Sequence, residues 1–275
     1  MMNVPVKSGR RILALILAMI LLAGCVPAAG AEEETADDEI SEVQQRWVKY
    51  EIEAIEDQKY NPYMWYWVYV PENFEPGLPL VVYLHSSFGL CKKALRDVLP
   101  ALINDGTIPD VQAVVLVPQL PGDYDNNDWL WAVNTVNRIV GRVMEEYEVD
   151  KDRISIAGFS LGGIGVWDVA GYCPGRYSRL MSICGKVHYF EVQPEDFEGC
   201  ECRVFTAVGD PAVNSATAIN YVTSLNEIGI PASHEALTMT HTEVPYDVLT
   251  RPEQLEWLWL IPEGSMVREE PEEGE

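Results

Sequence analysis

The sequence predicts one α/β domain, a mostly parallel, doubly wound sheet with antiparallel strands at its start and no large lid domain. Short apolar runs alternate with amphipathic segments of helical length between residues 45 and 262, an order typical of a sheet with helices on both faces. Residues 78–84 and 114–117 are apolar at nearly every position, as central parallel strands are. Residues 45–56 and 63–70 alternate and contain aromatic residues, which favours antiparallel strands.

The later elements continue this alternation. An apolar run at 154–157 predicts a buried strand that leads into a glycine-rich turn. Residues 122–128 form a polar loop, and the segment between residues 184 and 202 is too short for a lid domain. The remaining strands are predicted at 180–184, 202–208 and 233–238, and the helices at 91–105, 129–147, 163–172, 215–228 and 251–260. Ligands of such sheets bind outside the carboxyl ends of the strands, so we expect an open cleft there.

The amino-terminal residues have the pattern of a secretory leader. Lys7, Arg10 and Arg11 precede an apolar run at 12–23, which is shorter than the roughly 20 residues that a membrane span requires. The following Leu22-Ala-Gly-Cys25 resembles the bacterial lipoprotein cleavage box. We therefore predict that Cys25 is lipidated and anchors the chain to the cell membrane. The alternative is an ordinary secretory signal in which Cys25 is incidental.

The composition divides the chain into four parts. Acidic residues without apolar periodicity follow Cys25 and recur at the carboxyl terminus, and like charges extend such segments. The predicted parts are a lipoprotein signal peptide at 1–24, an acidic tether at 25–44, the α/β domain at 45–262 and an acidic disordered tail at 263–275. This arrangement predicts an extracytoplasmic domain held outside the membrane by its tether.

Charge and local motifs exclude several classes of partner. The formal net charge is −24, and no basic cluster follows Arg11, so nucleic acid is not expected as a partner. The chain has neither a Cys-x-x-Cys nor a His-x-x-x-His spacing. On these local patterns we expect no metal and no cofactor.

Five cysteines remain after Cys25, and an odd number outside the cytoplasm leaves at least one free thiol or a bond to another molecule. Cys184 lies in a predicted core strand, which favours an inert buried thiol. The pairing is left open among Cys91, Cys173, Cys184, Cys200 and Cys202.

A Gly-x-Ser-x-Gly pattern places Ser160 between the strand at 154–157 and the helix that follows. Such a corner holds a hydroxyl clear of the sheet at the amino end of a helix, where it can act as a nucleophile. The short pattern also arises by chance, so the interpretation depends on a base and an acid elsewhere.

The base is predicted to be His241, which follows the last strand at the carboxyl edge of the sheet. His188 follows the strand at 180–184 and is the weaker candidate for the base, although it can line a substrate site. His85 comes too early in the chain, and His234 lies inside an alternating strand. The order of nucleophile, acid and histidine therefore favours His241.

The acid that orients this histidine is predicted to be Asp210, which follows the strand at 202–208 and precedes a proline that fixes a turn. Asp210 as a simple turn-forming residue is the alternative. Asp168 falls on a helix, and Glu243 is too close in sequence to His241 to reach around its ring.

Backbone N–H groups are expected to bind the oxyanion of an acyl-transfer reaction. Leu161 supplies one at the start of the helix, and Ser86 or Ser87 supplies another from the loop after the strand at 78–84. Trp129 is the aromatic residue predicted to contact substrate, at the end of the polar loop.

The segment Ile156-Ala-Gly-Phe-Ser-Leu-Gly-Gly-Ile-Gly-Val-Trp-Asp168, with Val117-Pro-Gln119 and Ser182-Ile-Cys-Gly185, resembles a known group of enzymes. These are the α/β-hydrolase esterases grouped with polyhydroxybutyrate depolymerase-like, feruloyl and acetyl-xylan esterases and "predicted peptidases". The resemblance runs from about Trp65 to Trp257, and its Gly-x-Ser-x-Gly-Gly-x-Gly-x-Trp extension is fairly specific.

The resemblance implies the α/β-hydrolase fold and a triad of Ser160, Asp210 and His241. It also implies a serine carboxylesterase that acts on small or polysaccharide-linked esters through an acyl-enzyme. A non-catalytic binding lipoprotein with this fold and a serine peptidase are the alternatives.

Overall fold

The computed structural model describes residues 46–55, 59–72, 74–90, 92–121 and 128–261. The predictions for the leader, Cys25, the tether, Cys91, most of the 122–128 loop and the tail lie outside these residues.

The described residues form one eight-stranded sheet in the order β1-β2-β4-β3-β5-β6-β7-β8. β2 is antiparallel to β1 and β4, and all the other neighbours are parallel. The prediction of a mostly parallel sheet with an antiparallel start is therefore confirmed. The strands are Trp47–Ile52 (β1), Met64–Tyr69 (β2), Leu80–Leu84 (β3), Val114–Gln119 (β4), Ile154–Phe159 (β5), Arg179–Ile183 (β6), Glu201–Ala207 (β7) and Ala232–Leu237 (β8).

The helices of the described residues lie between the later strands or follow the last strand. They are Val98–Asn104 (α1), Val133–Glu146 (α2), Leu161–Gly171 (α3), Ala216–Glu227 (α4), Val244–Leu249 (α5) and Pro252–Leu258 (α6). The sequence reasoning missed α5, which has a proline in its first turn. Proline is tolerated there because the first N–H groups of a helix have no partner within it.

Two predicted helices are interrupted or begin late. The helix predicted at 91–105 is a 3₁₀ turn at Ala94–Arg96 and then α1. Asp97 separates them because its backbone is extended and its carboxylate accepts a hydrogen bond from the N–H of Val98. The helix predicted at 129–147 begins with a 3₁₀ turn at Trp129–Ala132 before α2.

The central strands of the sheet are buried on both faces. α2, α3 and α4 contribute to the core on one face, and α1, α5 and α6 contribute to the core on the other. Along β3, Leu80, Val82 and Leu84 face the first core, while Val81 and Tyr83 face the second. Because successive side chains of a strand point to opposite faces, a strand buried on both sides is apolar throughout.

Two further observations concern the described residues. Among the described residues, no helix has both the length and the apolar character that crossing a bilayer requires. Cys173, Cys184, Cys200 and Cys202 are free thiols, so none of these four forms a disulfide in this structure.

Candidate active site

Ser160 lies at the corner between β5 and α3, with φ 54° and ψ −112°. This left-handed backbone is strained for a residue with a side chain. The corner is fixed on both sides, because the N–H of Ser160 donates to the carbonyl of Ile183 at 2.9 Å and its carbonyl accepts from Ile164 at 3.0 Å. The strain is therefore held in place by the surrounding strand and helix.

Two glycines allow the strand and helix to meet this closely. A Cβ atom on Gly158 would come within 2.4 Å of the Gly162 carbonyl oxygen. A Cβ atom on Gly162 would come within 1.8 Å of the carbonyl oxygen of Leu84, at the end of β3. Both neighbours are backbone atoms that no rotamer change can move, so only glycine fits at either position.

His241 connects Ser160 to Asp210. Its Nε2 atom lies 2.9 Å from Ser160 Oγ, and its Nδ1 atom lies 2.6 Å from Asp210 Oδ2. The Asp210 side chain is nearly fully buried, and its Oδ1 accepts hydrogen bonds from the N–H groups of Ala212 and Val213. Because Asp210 can only accept, His241 carries its proton on Nδ1 and presents an unprotonated Nε2 to the serine hydroxyl.

The turn that carries His241 is closed by its neighbours. The Glu243 carboxylate accepts from both the N–H and the hydroxyl of Thr240, at 2.8 and 2.7 Å, and these hydrogen bonds lower the pKa of Glu243. Phe159 packs against the imidazole, with ring centroids 4.9 Å apart. Glu243 thus stabilises the turn and does not contact the histidine ring.

Cys184 lies next to the acid and the base. Its Sγ atom and the ligand atoms of Asp210 and His241 lie within 4.8 Å of one another. Burial raises the pKa of this thiol to about 12, so the thiol stays protonated at neutral pH. The prediction of an inert buried cysteine agrees with this environment.

One of the two predicted oxyanion donors in the loop after β3 is already engaged. The N–H of Ser86 donates to Asp97 Oδ2 at 3.1 Å, and its hydroxyl donates to the same atom at 2.6 Å. The prediction for Ser86 is therefore wrong in this structure, because an N–H directed at a buried carboxylate cannot also bind an oxyanion. Ser87, which is exposed, remains the candidate in this loop together with Leu161 at the start of α3.

Buried hydrogen bonds of His85 and Gln119 hold the loop after β3 in place. His85 Nε2 accepts from the N–H of Leu120 at 3.0 Å, and its Nδ1 atom lies 2.7 Å from the carbonyl oxygen of Ser86. Gln119 donates to the Gly89 carbonyl and accepts from the N–H of Ala94. Burial lowers the pKa of His85, so the ring is neutral and its two nitrogens have fixed roles.

Trp129 belongs to the core and not to the cleft. Its side chain is fully buried, its indole N–H donates to the His85 carbonyl at 3.2 Å, and a Cβ atom on Gly165 would come within 2.4 Å of it. The prediction that Trp129 contacts substrate is therefore wrong, because the fold covers its ring on all sides.

His188 is paired with Asp168 and not with Ser160. Its Nδ1 atom lies 3.2 Å from both carboxylate oxygens of Asp168. The hydrogen bond with Asp168 raises the pKa of His188. Between the two histidines considered as the base, the structure places only His241 within hydrogen-bonding distance of Ser160.

Sequence reasoning missed several residues around the site. Asp97 and Gln119 support the loop after β3, and both had a usable signal: Asp97 precedes an apolar helix as an N-cap residue, and Gln119 is a polar residue at the end of an apolar strand. Phe88 and Phe190 are 61% and 99% exposed. Phe88 lies in the loop after β3, next to Ser87. The neighbours of Phe190 lie at the carboxyl-terminal end of α3, where Glu191 contacts Tyr172 and Val192 faces Gly171.

Solved structures resemble this chain in fold. A thermostable esterase matches with a TM-score of 0.64, 22% identity and 79% of this chain covered. A ferulic acid esterase matches with a TM-score of 0.57, 15% identity and 78% covered. The chain therefore has the α/β-hydrolase fold. A dipeptidyl peptidase 4 of Porphyromonas gingivalis shares this fold, with a TM-score of 0.60, 12% identity and 78% covered.

This chain matches different fractions of the lengths of these three proteins. The chain spans 63% of the thermostable esterase, 97% of the ferulic acid esterase and 35% of the peptidase. No protein-family model matches the sequence, and no curated protein matches it. The structural neighbours are hydrolases, and at these identities the likeness establishes the fold alone.

Proposed function

We propose that this chain is a serine hydrolase that cleaves carboxylic esters, with Ser160 as nucleophile, His241 as general base and Asp210 as the residue that orients the histidine. The observation that supports this most directly is the continuous hydrogen-bonded chain from Asp210 Oδ2 through His241 to Ser160 Oγ, at 2.6 and 2.9 Å. Each member follows a strand at the carboxyl edge of the sheet, where ligands of this architecture bind.

In the proposed reaction His241 Nε2 removes the Ser160 proton as Oγ bonds to the acyl carbon. The carbonyl π electrons move to oxygen, and the N–H groups of Leu161 and Ser87 stabilise that oxyanion. A single donor of this kind contributes about 3 to 4 kcal/mol to lowering the barrier. The tetrahedral intermediate then collapses, the alcohol leaves with the proton from Nε2, and Ser160 carries the acyl group.

Water completes the cycle. His241 takes a proton from a water molecule that attacks the acyl-enzyme, and it returns that proton to Ser160 Oγ as the carboxylic acid departs. Asp210 stabilises the imidazolium at each stage without accepting its proton.

The exposed ring of Phe88 supports a substrate with an extended or aromatic part. Phe88 is exposed and adjoins Ser87, the candidate oxyanion donor, and aromatic faces stack on sugar and phenolic rings at little conformational cost. We therefore include polysaccharide-linked esters, such as acetyl or feruloyl esters, with small soluble esters in the proposal. The predicted contact of His188 with substrate stays a prediction.

The cellular location is a further part of the proposal. Leu22-Ala-Gly-Cys25 supports lipidation at Cys25, which would leave the α/β domain outside the cytoplasmic membrane on its acidic tether. In the host cell, incorporation of a labelled fatty acid that disappears in Cys25→Ala tests this. Equal labelling of both proteins would contradict it.

A fluorophosphonate probe tests the nucleophile. We expect the wild-type protein to be labelled and Ser160→Ala to be unlabelled, because the probe reacts with an activated serine. Ser178→Ala is a matched control, since Ser178 is a partly buried serine that precedes β6 at the other end of the sheet. Equal labelling of the wild type and Ser160→Ala would overturn the assignment.

A panel of substrates then distinguishes the three candidate functions, which are an esterase, a peptidase and a non-catalytic binding protein. Hydrolysis of p-nitrophenyl acetate that falls at least about 10⁴-fold in Ser160→Ala supports an esterase. Faster turnover of peptide p-nitroanilides than of any ester would support a peptidase instead. No turnover of either class would support a binding protein that has kept the fold, and acetylated xylan and methyl ferulate would identify the ester class.

A further inference from the structure

A second histidine and carboxylate cluster lies outside the candidate active site. Asp128 precedes the 3₁₀ turn at Trp129–Ala132, Asp168 lies on α3, and His188 follows β6. The ligand atoms of these three side chains all lie within 4.8 Å of one another. The three residues come from separate segments of the chain, so no local sequence motif indicates that they form a cluster.

The central pair has the spacing of two ligands of one ion. His188 Nδ1 lies 3.2 Å from each carboxylate oxygen of Asp168. Two atoms that each lie about 2.1 Å from an ion, at an angle of about 90° to 109°, are about 3.0 to 3.4 Å apart. The Asp128 side chain is only partly buried, and its Oδ1 atom accepts a hydrogen bond from the N–H of Leu130. Asp128 nevertheless places a ligand atom within 4.8 Å of those of Asp168 and His188.

The buried carboxylate of the cluster is paired with an imidazole. The Asp168 side chain is fully buried, and a buried carboxylate requires a compensating partner. His188 is that partner in this structure, and an ion held by His188, Asp168 and Asp128 would supply a compensating charge.

We propose that Asp128, Asp168 and His188 bind one divalent transition-metal ion, with Zn²⁺ as the preferred ion. Imidazole and carboxylate ligands suit Zn²⁺, whereas Ca²⁺ and Mg²⁺ favour sites made only of oxygen atoms. Three protein ligands leave a position for water. The ion joins three segments of the chain, which predicts a stabilising role.

This site is connected to the loop after β3. Trp129, the residue next to Asp128, packs against Gly165 of α3 and donates to the His85 carbonyl. An ion bound at Asp128 would therefore hold Trp129 in place, and Trp129 supports the loop after β3 that carries the candidate oxyanion donor Ser87. The proposal does not depend on hydrolase activity, because its tests measure binding and unfolding.

Calorimetric titration of the chelator-treated full chain with Zn²⁺ tests the proposal. We expect one ion per chain, and a rise in Tm of about 5 to 10 °C when free Zn²⁺ is a hundredfold above its Kd. His188→Gln and Asp128→Asn should each weaken binding at least about tenfold. Asp128→Asn is the milder change, since its side chain is partly exposed. His234→Gln is the matched control, because this partly buried histidine pairs with Thr206, and it should bind Zn²⁺ as the wild type does.

The rival location is the active site, where Cys184, Asp210 and His241 also converge. Co²⁺ distinguishes the two sites, because a thiolate ligand gives a charge-transfer band with cobalt and, of these two sites, only the active site contains a cysteine. We expect no such band. The proposal is overturned by that band at one equivalent of Co²⁺, by absence of Zn²⁺ binding, by unchanged affinity in both variants, or by tighter binding of Ca²⁺ than of Zn²⁺.

Discussion

The Asp97 carboxylate accepts two hydrogen bonds from Ser86, at 2.6 Å from its hydroxyl and 3.1 Å from its backbone N–H. Its other oxygen accepts from the Tyr83 hydroxyl at 2.6 Å and from the N–H of Val98 at 3.0 Å. Asp97 is buried, so these four hydrogen-bond donors compensate for the loss of its hydration. A single carboxylate thereby joins the end of β3, the start of α1 and the residue before Ser87.

We expect Asp97→Asn to lower kcat for a p-nitrophenyl ester by about 10- to 100-fold while KM changes less. An asparagine has one acceptor oxygen in place of two, and its NH₂ group faces donors that need an acceptor. The loop must then shift, and a displacement of about 1 Å at a positioned group can cost about a hundredfold in rate. Steady-state kinetics at saturating substrate measures the effect.

Asp105→Asn is the matched control for this change. Asp105 also accepts a backbone hydrogen bond, from Thr107, but it is exposed at the end of α1. Its substitution should leave kcat unchanged. If Asp97→Asn lowered Tm and left kcat unchanged, Asp97 would be structural only and would not position the oxyanion loop.

The second prediction concerns Asp210. Asp210→Asn should lower kcat by about 10⁴-fold, because an amide can hold the imidazole in the wrong tautomer and cannot stabilise the imidazolium. Its Oδ1 also accepts from Ala212 two residues on, so a turn-forming role must be separated from a catalytic one. Asp150→Asn is suited to this, since Asp150 accepts from Asp152 in the same way. Similar small effects of both substitutions on kcat would show that Asp210 only forms its turn.

Two glycine substitutions should change stability in opposite directions. Gly162→Ala places a methyl group 1.8 Å from the Leu84 carbonyl oxygen, so we expect little folded protein or a large fall in Tm. Gly141→Ala, in the middle of α2, meets nothing closer than Arg176 Nη1 at 4.0 Å. It should raise the free energy of unfolding by about 0.5 to 1 kcal/mol, because alanine is the better helix former. Urea unfolding measures both, and a destabilised Gly141→Ala would contradict the packing described here.

The sequence was sufficient to predict the sheet and the positions of Ser160, Asp210 and His241. Each of the three follows a strand, and the carboxyl ends of parallel strands meet at one edge. The three side chains are therefore brought close together at that edge of the sheet. The structure joins the three by hydrogen bonds, so the order of elements alone was informative here.

The wrong predictions concern contacts between distant segments. Trp129 is covered because Gly165 leaves room for its ring, and nothing in the residues around Trp129 indicates that space. The N–H of Ser86 is engaged because Asp97 lies opposite it. Whether a side chain or N–H group is free depends on such neighbours, so periodicity and spacing could not decide either case.

His85 predicts how stability depends on pH. Leu120 donates to its Nε2 atom, so protonation of that atom would remove an acceptor from a buried backbone N–H. Burial lowers the pKa of folded His85 below the ordinary value of about 6.5. Near pH 6.5, His85 therefore binds a proton more readily in the unfolded chain than in the folded chain. Stability from this group is fully present above about pH 6.5 and is lost as the pH falls toward the folded pKa.

We therefore expect the free energy of unfolding of the wild type to fall more steeply between about pH 6.5 and pH 5 than that of His85→Gln. The difference has an upper limit of about 1.4 kcal/mol for each pH unit, because His85 takes up at most one proton on unfolding. The comparison uses slopes, so a constant loss of stability in the variant does not affect it. Urea unfolding at several pH values provides the measurement. Parallel slopes would mean that His85 is protonated in the folded protein as readily as in the unfolded chain, which the hydrogen bond from Leu120 to Nε2 does not permit.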